Sequence, residues 1–419
     1  MSEIRRVAIV GGQRIPFCRS MGAYMGISNR ELVSHAVNSL VAKYNLSGEE
    51  IGEVVLGAVM KHSSDWNMAR ETVLSTQLSP NTPAYDIQQA CGTSLEAAML
   101  VGNKIALGQI DVGIAAGTDT NSDLPIVFSK QFSHRMLKAF KEKTPMGKVK
   151  RLSGLLANPK ELVPVFPGVM EPRTKLSMGQ HCELMAKEWH ISREEQDELA
   201  YHSHINAAKA YEEGFYNDLI TPFKNVTVDN NMRGDTTIEK LSKLRTAFDR
   251  SERGTLTAGN STPLTDGAAA VLLCSEEYAQ KNGLPVLAYL THCQTAAVDF
   301  VAGEGLLMAP TVAVAKMLTR ANIKLQDFDF YEIHEAFAAQ VLCTLKAWES
   351  EEYCSKRLGL STPLGSIDRS KMNIKGGSVA VGHPFAATGA RIIGGLAKII
   401  NDAGSGRGLI SSVLPEVWA

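Results

Sequence analysis

Several short stretches of this chain are apolar at every position, and longer amphipathic stretches alternate with them. Val7-Ala8-Ile9-Val10, Val112 to Ala116 and Ala268 to Leu273 have no polar face. A strand of that kind has no solvent side, so it belongs in a sheet covered by helices on both faces. The intervening segments Arg30 to Tyr44, Asn67 to Gln77 and Gly92 to Gly108 have helical periodicity. The last of these places Leu95, Ala98, Met99, Gly102, Ile105 and Ala106 on one stripe. The same alternation returns late in the chain. Strands are expected at Glu53–Met60, Val286–Tyr289, Phe328–Ile333 and Gly408–Val413. Helices are expected at Pro310–Ala321, Ala336–Trp348 and Pro384–Asn401. The fold class is therefore α/β, with layers of helix on a largely buried sheet.

Between Asn121 and about Lys243 the texture is polar, helical and irregular. Ser192-Arg193-Glu194-Glu195 has the capping-box pattern that opens a helix, with Gly214 as its stop. Two α/β halves with an insertion are the simplest organisation. The first half covers residues 1–120, with 245–272 returning to it; the insertion covers 121–244 and the second half 273–419. Lys130 to Lys160 carries nine Lys or Arg residues against Glu142 alone. It suits either a solvated loop or an anion-facing surface.

A net charge of −1 gives no global pull towards nucleic acid. No apolar run approaches the roughly 20 residues of a transmembrane span, and Met1 to Arg6 does not resemble a signal peptide. The seven cysteines are scattered, with no C-x-x-C pair. That argues against a disulfide framework or structural zinc and for a reducing, cytoplasmic setting.

Three segments concentrate groups able to do chemistry. Cys91 lies in Gln88-Gln89-Ala90-Cys91-Gly92-Thr93-Ser94, where an extended segment meets a helix start. Partial positive charge there lowers a thiol pKa and offers N–H donors to an oxyanion. Taken alone, the position suits a buried structural cysteine better than a reactive one. His334, in His334-Glu335-Ala336-Phe337-Ala338, follows an apolar strand, where open α/β sheets place ligands. It is not an H-E-x-x-H motif, so no metal is expected. His383 sits between Gly382 and Pro384 in a run of small residues. Pro384 suits a first helical position, and Gly382 allows close backbone approach to a ligand. Ala258 to Ala270 reads as a small-residue turn leading into a strand, or as a wall for a thin, chain-like ligand.

Together these segments resemble the thiolase family. Four motifs match in order: the helix-opening cysteine (Cys91), N-x-[ST]-x-x-x-D-G-A-A (Asn260–Ala269), H-E-A-F-A (His334–Ala338) and G-H-P-x-x-A-T-G-A-R (Gly382–Arg391). The histidine heading H-E-A-F-A resembles the branch containing the β subunit of fatty-acid oxidation complexes. The resemblance implies two similar βαβαβαββ halves in a layered α-β-α-β-α core, with an inserted loop domain. It implies thiolytic cleavage of 3-oxoacyl-CoA by CoA, or condensation of two acetyl-CoA, through an acyl-Cys91 intermediate. His383 would activate the thiol and donate to the thioester oxygen of the second acyl-CoA, and His334 would hold an oxyanion water. Thr262, Ser261, Met178 and Gly382 would line the coenzyme A and acyl site. Acyl-CoA and CoA would be substrates, with no permanently bound cofactor. The partners implied are further copies, as a homodimer or homotetramer, or a β-oxidation α subunit.

The end of the chain departs from the family, which has C-x-x-G-G after the last strand. Here the residues are Ser411-Ser412-Val413-Leu414-Pro415-Glu416-Val417-Trp418-Ala419. Codons exist for this stretch, TCG TCT GTG CTG CCG GAG GTG TGG GCN, that respond to one base restored in the first of them. They then spell Ser-Val-Cys-Ala-Ala-Gly-Gly-Val-Gly, with cysteine where Val413 stands. A single-base deletion near codon 411 is the expectation, with severe loss of activity in the chain as written. Two alternatives compete: a decarboxylating ketosynthase, and a catalytically impaired CoA-binding or partner subunit.

Overall fold

The computed structural model describes residues 4–413. Nine strands occur in it: β1 (Val7–Arg14), β2 (Cys18–Arg19), β3 (Glu53–Gly57), β4 (Ala84–Asp86), β5 (Val112–Asp119), β6 (Thr265–Ser275), β7 (Ala288–Leu290), β8 (Phe330–Ile333) and β9 (Gly408–Ser411). The main sheet runs β4-β3-β5-β6-β1-β7, with β2 on β6. β3 is parallel to β4 and β5, while β6 is antiparallel to both β5 and β1.

Strand alternation sorts side chains to two faces. Ala8, Val10, Val54, Leu56, Ile114 and Ala116 pack with the Asn29–Lys43 helix through Leu32, Val33, Ala36 and Leu40. Val7, Ile9, Val55, Ala115 and Val271 point the other way. They meet Ala97 and Val101 of the Thr93–Ala106 helix, and Ala390, Ile393 and Ala397 of the Thr388–Asp402 helix. Beyond these central helices lies a third core. There Tyr331, Ile333 and Leu409 of β8 and β9 pack with the Ala338–Glu349 and Ala309–Ala321 helices. The succession is α-β-α-β-α.

The central helices are unusually close. A Cβ on Gly389 would lie 2.3 Å from the Leu95 nitrogen, and one on Gly117 would lie 2.0 Å from the Ala386 carbonyl oxygen. The Ala390 N–H donates to Ser94 Oγ at 2.8 Å. Small residues at these places let the two helix starts meet, and this carries Cys91 to His383.

The second half is less regular than the first. β7 pairs with β1, whereas β8 and β9 form a separate parallel pair, bridged to Met372 on its other side. The C-terminal departure falls largely on residues 414–419, outside the described residues. The Pro384–Asn401 helix begins later than the sequence implies. Phe385–Ala387 forms a 3-10 turn, and the α-helix starts at Thr388. Asp119 holds the Ala386 N–H at 2.8 Å and Thr388 bonds His383, so the turn is pinned in a tighter conformation.

The segment between β5 and β6 is anchored from β1. Arg14 makes a two-pronged, buried ion pair with Asp229, at 2.6 and 2.7 Å. Ser192 caps Arg193–Glu212 with the expected box. The basic stretch is a helical hairpin, Lys130–Lys141 and Pro145–Ala157, braced by Arg135–Glu161 and Arg151–Glu142 pairs. It departs from a solvated loop in exposing Leu137, Phe140, Met146 and Leu156 beside its lysines.

Gly117→Ala forces either β5 or the Ala386 turn to shift. A destabilisation of about 1–3 kcal/mol is expected, as for other overpacked interiors, measured by urea denaturation.

Candidate active site

Cys91 follows β4 through a turn that is itself strained. Ala90 has φ of +45°, a left-handed value uncommon for a residue with a side chain. Thr93 secures the turn: its hydroxyl donates to the Ala90 carbonyl at 2.7 Å and accepts the Gln89 N–H at 2.9 Å. The thiol therefore projects from the head of the Thr93–Ala106 helix into a buried space, at 8 % exposure. The sequence reading expects the helix start to lower its pKa. Burial outweighs that effect and, with the negative charge of Asp119 adding to it, pushes the thiol up to about 12. The resting group is a neutral thiol.

An imidazole stands beside it. His383 Nε2 lies 3.1 Å from Cys91 Sγ, and its Nδ1 lies 2.6 Å from Thr388 Oγ1. Burial, helped by Arg391, lowers the His383 pKa to about 3, so this ring is neutral too. A neutral imidazole can accept the thiol proton at Nε2 only if Nδ1 carries the hydrogen and donates it to Thr388. The Thr265 hydroxyl accepts the His383 N–H at 2.8 Å, which fixes the backbone. His334 packs against the same ring, tilted by 51°, with centroids 4.2 Å apart. Its Nδ1 is 2.9 Å from Ser378 Oγ, and Arg391 donates to that same oxygen at 2.8 Å. Among the described residues, His334 Nε2 is buried without a partner. The ligand atoms of Cys91, His334 and His383 lie within 4.8 Å of one another.

Comparison with known proteins places this geometry. Residues 7–277 match the thiolase N-terminal domain, and residues 284–414 match the thiolase C-terminal domain. The chain belongs to the thiolase family. It is 44 % identical over 413 residues to a 3-ketoacyl-CoA thiolase of Pectobacterium carotovorum, covering 97 % of this chain and 93 % of the relative. A 3-ketoacyl-CoA thiolase of Yersinia pestis is 42 % identical, with coverage of 97 % and 94 %. Among solved structures, an acetyl-CoA acetyltransferase of Bacillus anthracis superposes with a TM-score of 0.79 at 29 % identity, over 99 % of this chain and 97 % of that one. Human mitochondrial 3-ketoacyl-CoA thiolase in complex with CoA superposes equally well, at 26 % identity and the same coverage. As a thiolase the chain is an acyltransferase.

The remaining residues singled out in this thiolase take different places. Gly382 has φ of +103° and turns the chain into His383. Ser261 bridges to Phe337, and among the described residues its hydroxyl is buried without a partner. The Thr262 hydroxyl and N–H both donate to the Ala336 carbonyl, each at 3.1 Å, so this residue holds the His334 loop. Met178 opens the Met178–Glu188 helix and packs on the core that contains Phe337.

Several positioning groups escape the sequence reading. Glu335 is buried and accepts from Ser203 Oγ at 2.7 Å and from the Val379 N–H at 3.1 Å, tying the segment before His383 to the His334 loop. Asp119 accepts from Val59, Met60 and Ala386 N–H groups. Thr388 and Arg391 lie inside the G-H-P-x-x-A-T-G-A-R motif, so their spacing from His383 was a usable signal.

A thiol raised to about 12 has few thiolates at neutral pH. Alkylation of Cys91 by iodoacetamide in the substrate-free protein should be slow near pH 7 and still accelerating near pH 10. Peptide mass mapping across the pH series reads this directly; a plateau by about pH 8 contradicts it.

Proposed function

We propose that this thiolase cleaves 3-oxoacyl-CoA with CoA, and in reverse condenses two acetyl-CoA, through an acyl group carried on Cys91. The observation that carries the reading is the buried 3.1 Å contact between Cys91 Sγ and His383 Nε2. The names of the relatives, 3-ketoacyl-CoA thiolases, supply the substrate class. Cys91 sulfur attacks the 3-keto carbon as His383 takes the thiol proton. The bond between carbons 2 and 3 then breaks, and the electron pair leaves with acetyl-CoA as its enolate, which takes up the proton that His383 drew from Cys91. The thiol of CoA next gives its proton to His383 and attacks the acyl-Cys91 thioester, and that proton returns to the departing Cys91 sulfur as the shortened acyl-CoA is released.

The enolate oxygen needs a donor. Arg391 already occupies one lone pair of Ser378 Oγ. In our reading the Ser378 hydroxyl donates to His334 Nδ1, which leaves a hydrogen on the unpartnered Nε2. That hydrogen points at the reacting carbonyl directly or through a water. Ser261, Thr262, Met178 and Gly382 would line the CoA arm and the thioester. A non-catalytic subunit is not favoured, because nucleophile, base and oxyanion donor are assembled together.

Incubation with acetyl-CoA should add one acetyl group to Cys91, seen by intact-protein mass spectrometry and abolished by Cys91→Ala. His383→Asn should slow acylation by about 10²–10⁴-fold. His334→Ala should lower thiolysis of acetoacetyl-CoA by about 10²–10³-fold while leaving Cys91 acylation far less affected. Equal loss in both half-reactions would remove His334 from the enolate step.

A further inference from the structure

Strand β8 carries a buried carboxyl that the proposed reaction does not use. Side chains alternate along it, and Tyr331 and Ile333 point into the third core. Glu332, between them, points the other way, towards Arg391 of the Thr388–Asp402 helix, and is 5 % exposed. A carboxyl inside a buried strand is costly unless it answers another group. Arg391 is that group. It is 8 % exposed, its Nη1 lies 3.8 Å from Glu332 Oε2, and its Nη2 donates to Ser378 Oγ at 2.8 Å. Among the described residues its Nε is buried without a partner. The other polar groups around Glu332 are engaged elsewhere. Glu335 accepts from Ser203, Asn373 and the Val379 N–H. Arg14 is paired with Asp229, and Lys375 with Glu213. Tyr216, which lines the same small pocket as Glu332, donates its hydroxyl to the Lys375 carbonyl.

We propose that Glu332 is a positioning residue for the enolate step: through Arg391 and Ser378 its carboxylate holds His334 in the tautomer with hydrogen on Nε2. This rests on the role given to His334 above. A guanidinium is a planar fork of fixed geometry. With one prong on Ser378 alone its plane can swing, and a carboxylate facing the second prong fixes it. A serine hydroxyl that accepts from a cation is polarised and donates the more strongly. Ser378 therefore gives its hydrogen to His334 Nδ1, 2.9 Å away, and the ring keeps its own on Nε2. If Arg391 turns away, Ser378 accepts from Nδ1 as readily, and the donor at Nε2 is lost. Burial raises the Glu332 carboxyl to about 7, with Arg391 drawing it down and Glu335 pushing it further up. The clamp is charged above that pH and neutral below it. His334, held well below its usual value by burial and by His383, stays neutral across the same range.

The test is nitrogen NMR of the substrate-free, histidine-labelled protein from about pH 6 to about pH 9. The His334 signals are assigned by their loss in His334→Ala. The Nε2–H form should predominate above about pH 8 and give way as the pH falls through about 7. Glu332→Gln should abolish that inflection and leave the ring in the low-pH mixture. Its thiolysis kcat above about pH 8 should fall about tenfold, the worth of one charge-assisted hydrogen bond. KM and Cys91 acylation should change little. Arg391→Lys, which lacks the fork, should do the same. An inflection that survives Glu332→Gln overturns the proposal. If Glu332→Gln does not fold, the unmodified protein decides, and a His334 signal flat across the pH range overturns the proposal equally. A His334 that keeps its hydrogen on Nε2 in every protein and at every pH overturns the proposal alone. One that carries it on Nδ1 throughout overturns the role given to His334 above as well.

Discussion

The contact between Cys91 and His383 joins side chains 292 residues apart. Neither half of the chain contains a working site. The first brings a thiol on a strained turn, and the second brings an imidazole held by Thr388 and Thr265. They meet only because two helix starts pack at backbone distance. Gly389 lets the second helix sit against Leu95, and Gly117 lets the Ala386 turn sit against β5. Asp119 closes the joint by accepting N–H groups from the β3 side and from the His383 side. The rest of the fold serves that docking. The sheets give the helices something to stand on, and the insertion is clamped to β1 through Arg14 and Asp229.

Electrostatics in the joint follow from its dryness. The sequence reading gave weight to the helix start, which favours a thiolate. The structure puts the thiol in a space where losing water outweighs that field, and the adjacent carboxyl of Asp119 pushes the same way. The imidazoles are also held neutral, by burial and by Arg391. In the proposed reaction charge is made only when a proton crosses from sulfur to nitrogen over that short path, and it is met by donors already in place.

Much of this was legible in the residues. The all-apolar runs required a buried sheet, and β1, β5 and β6 are buried along their whole lengths. Cys91, His334 and His383 were readable because each stands where a strand or small-residue turn gives way to a helix. Other features were not readable. Whether Pro384 starts an α-helix or a 3-10 turn depends on Asp119, more than 260 residues earlier. The structural duty of Glu335 depends on Ser203 in the insertion, which no local pattern links to it. The hairpin at 130–157 read as charge alone, because its apolar residues are interleaved with lysines and find no core to cover them. Contacts made at long range leave little mark on the sequence around either partner.

The neutral, buried state of Cys91 has a consequence for the protein between turnovers. Peroxides and disulfides react with thiolates, and thiols are sluggish towards them. A nucleophile that is deprotonated only as its neighbouring base draws off the proton is chemically quiet when no substrate is bound. The burial that holds Cys91 as a neutral thiol also shelters the sulfur from oxidation at rest.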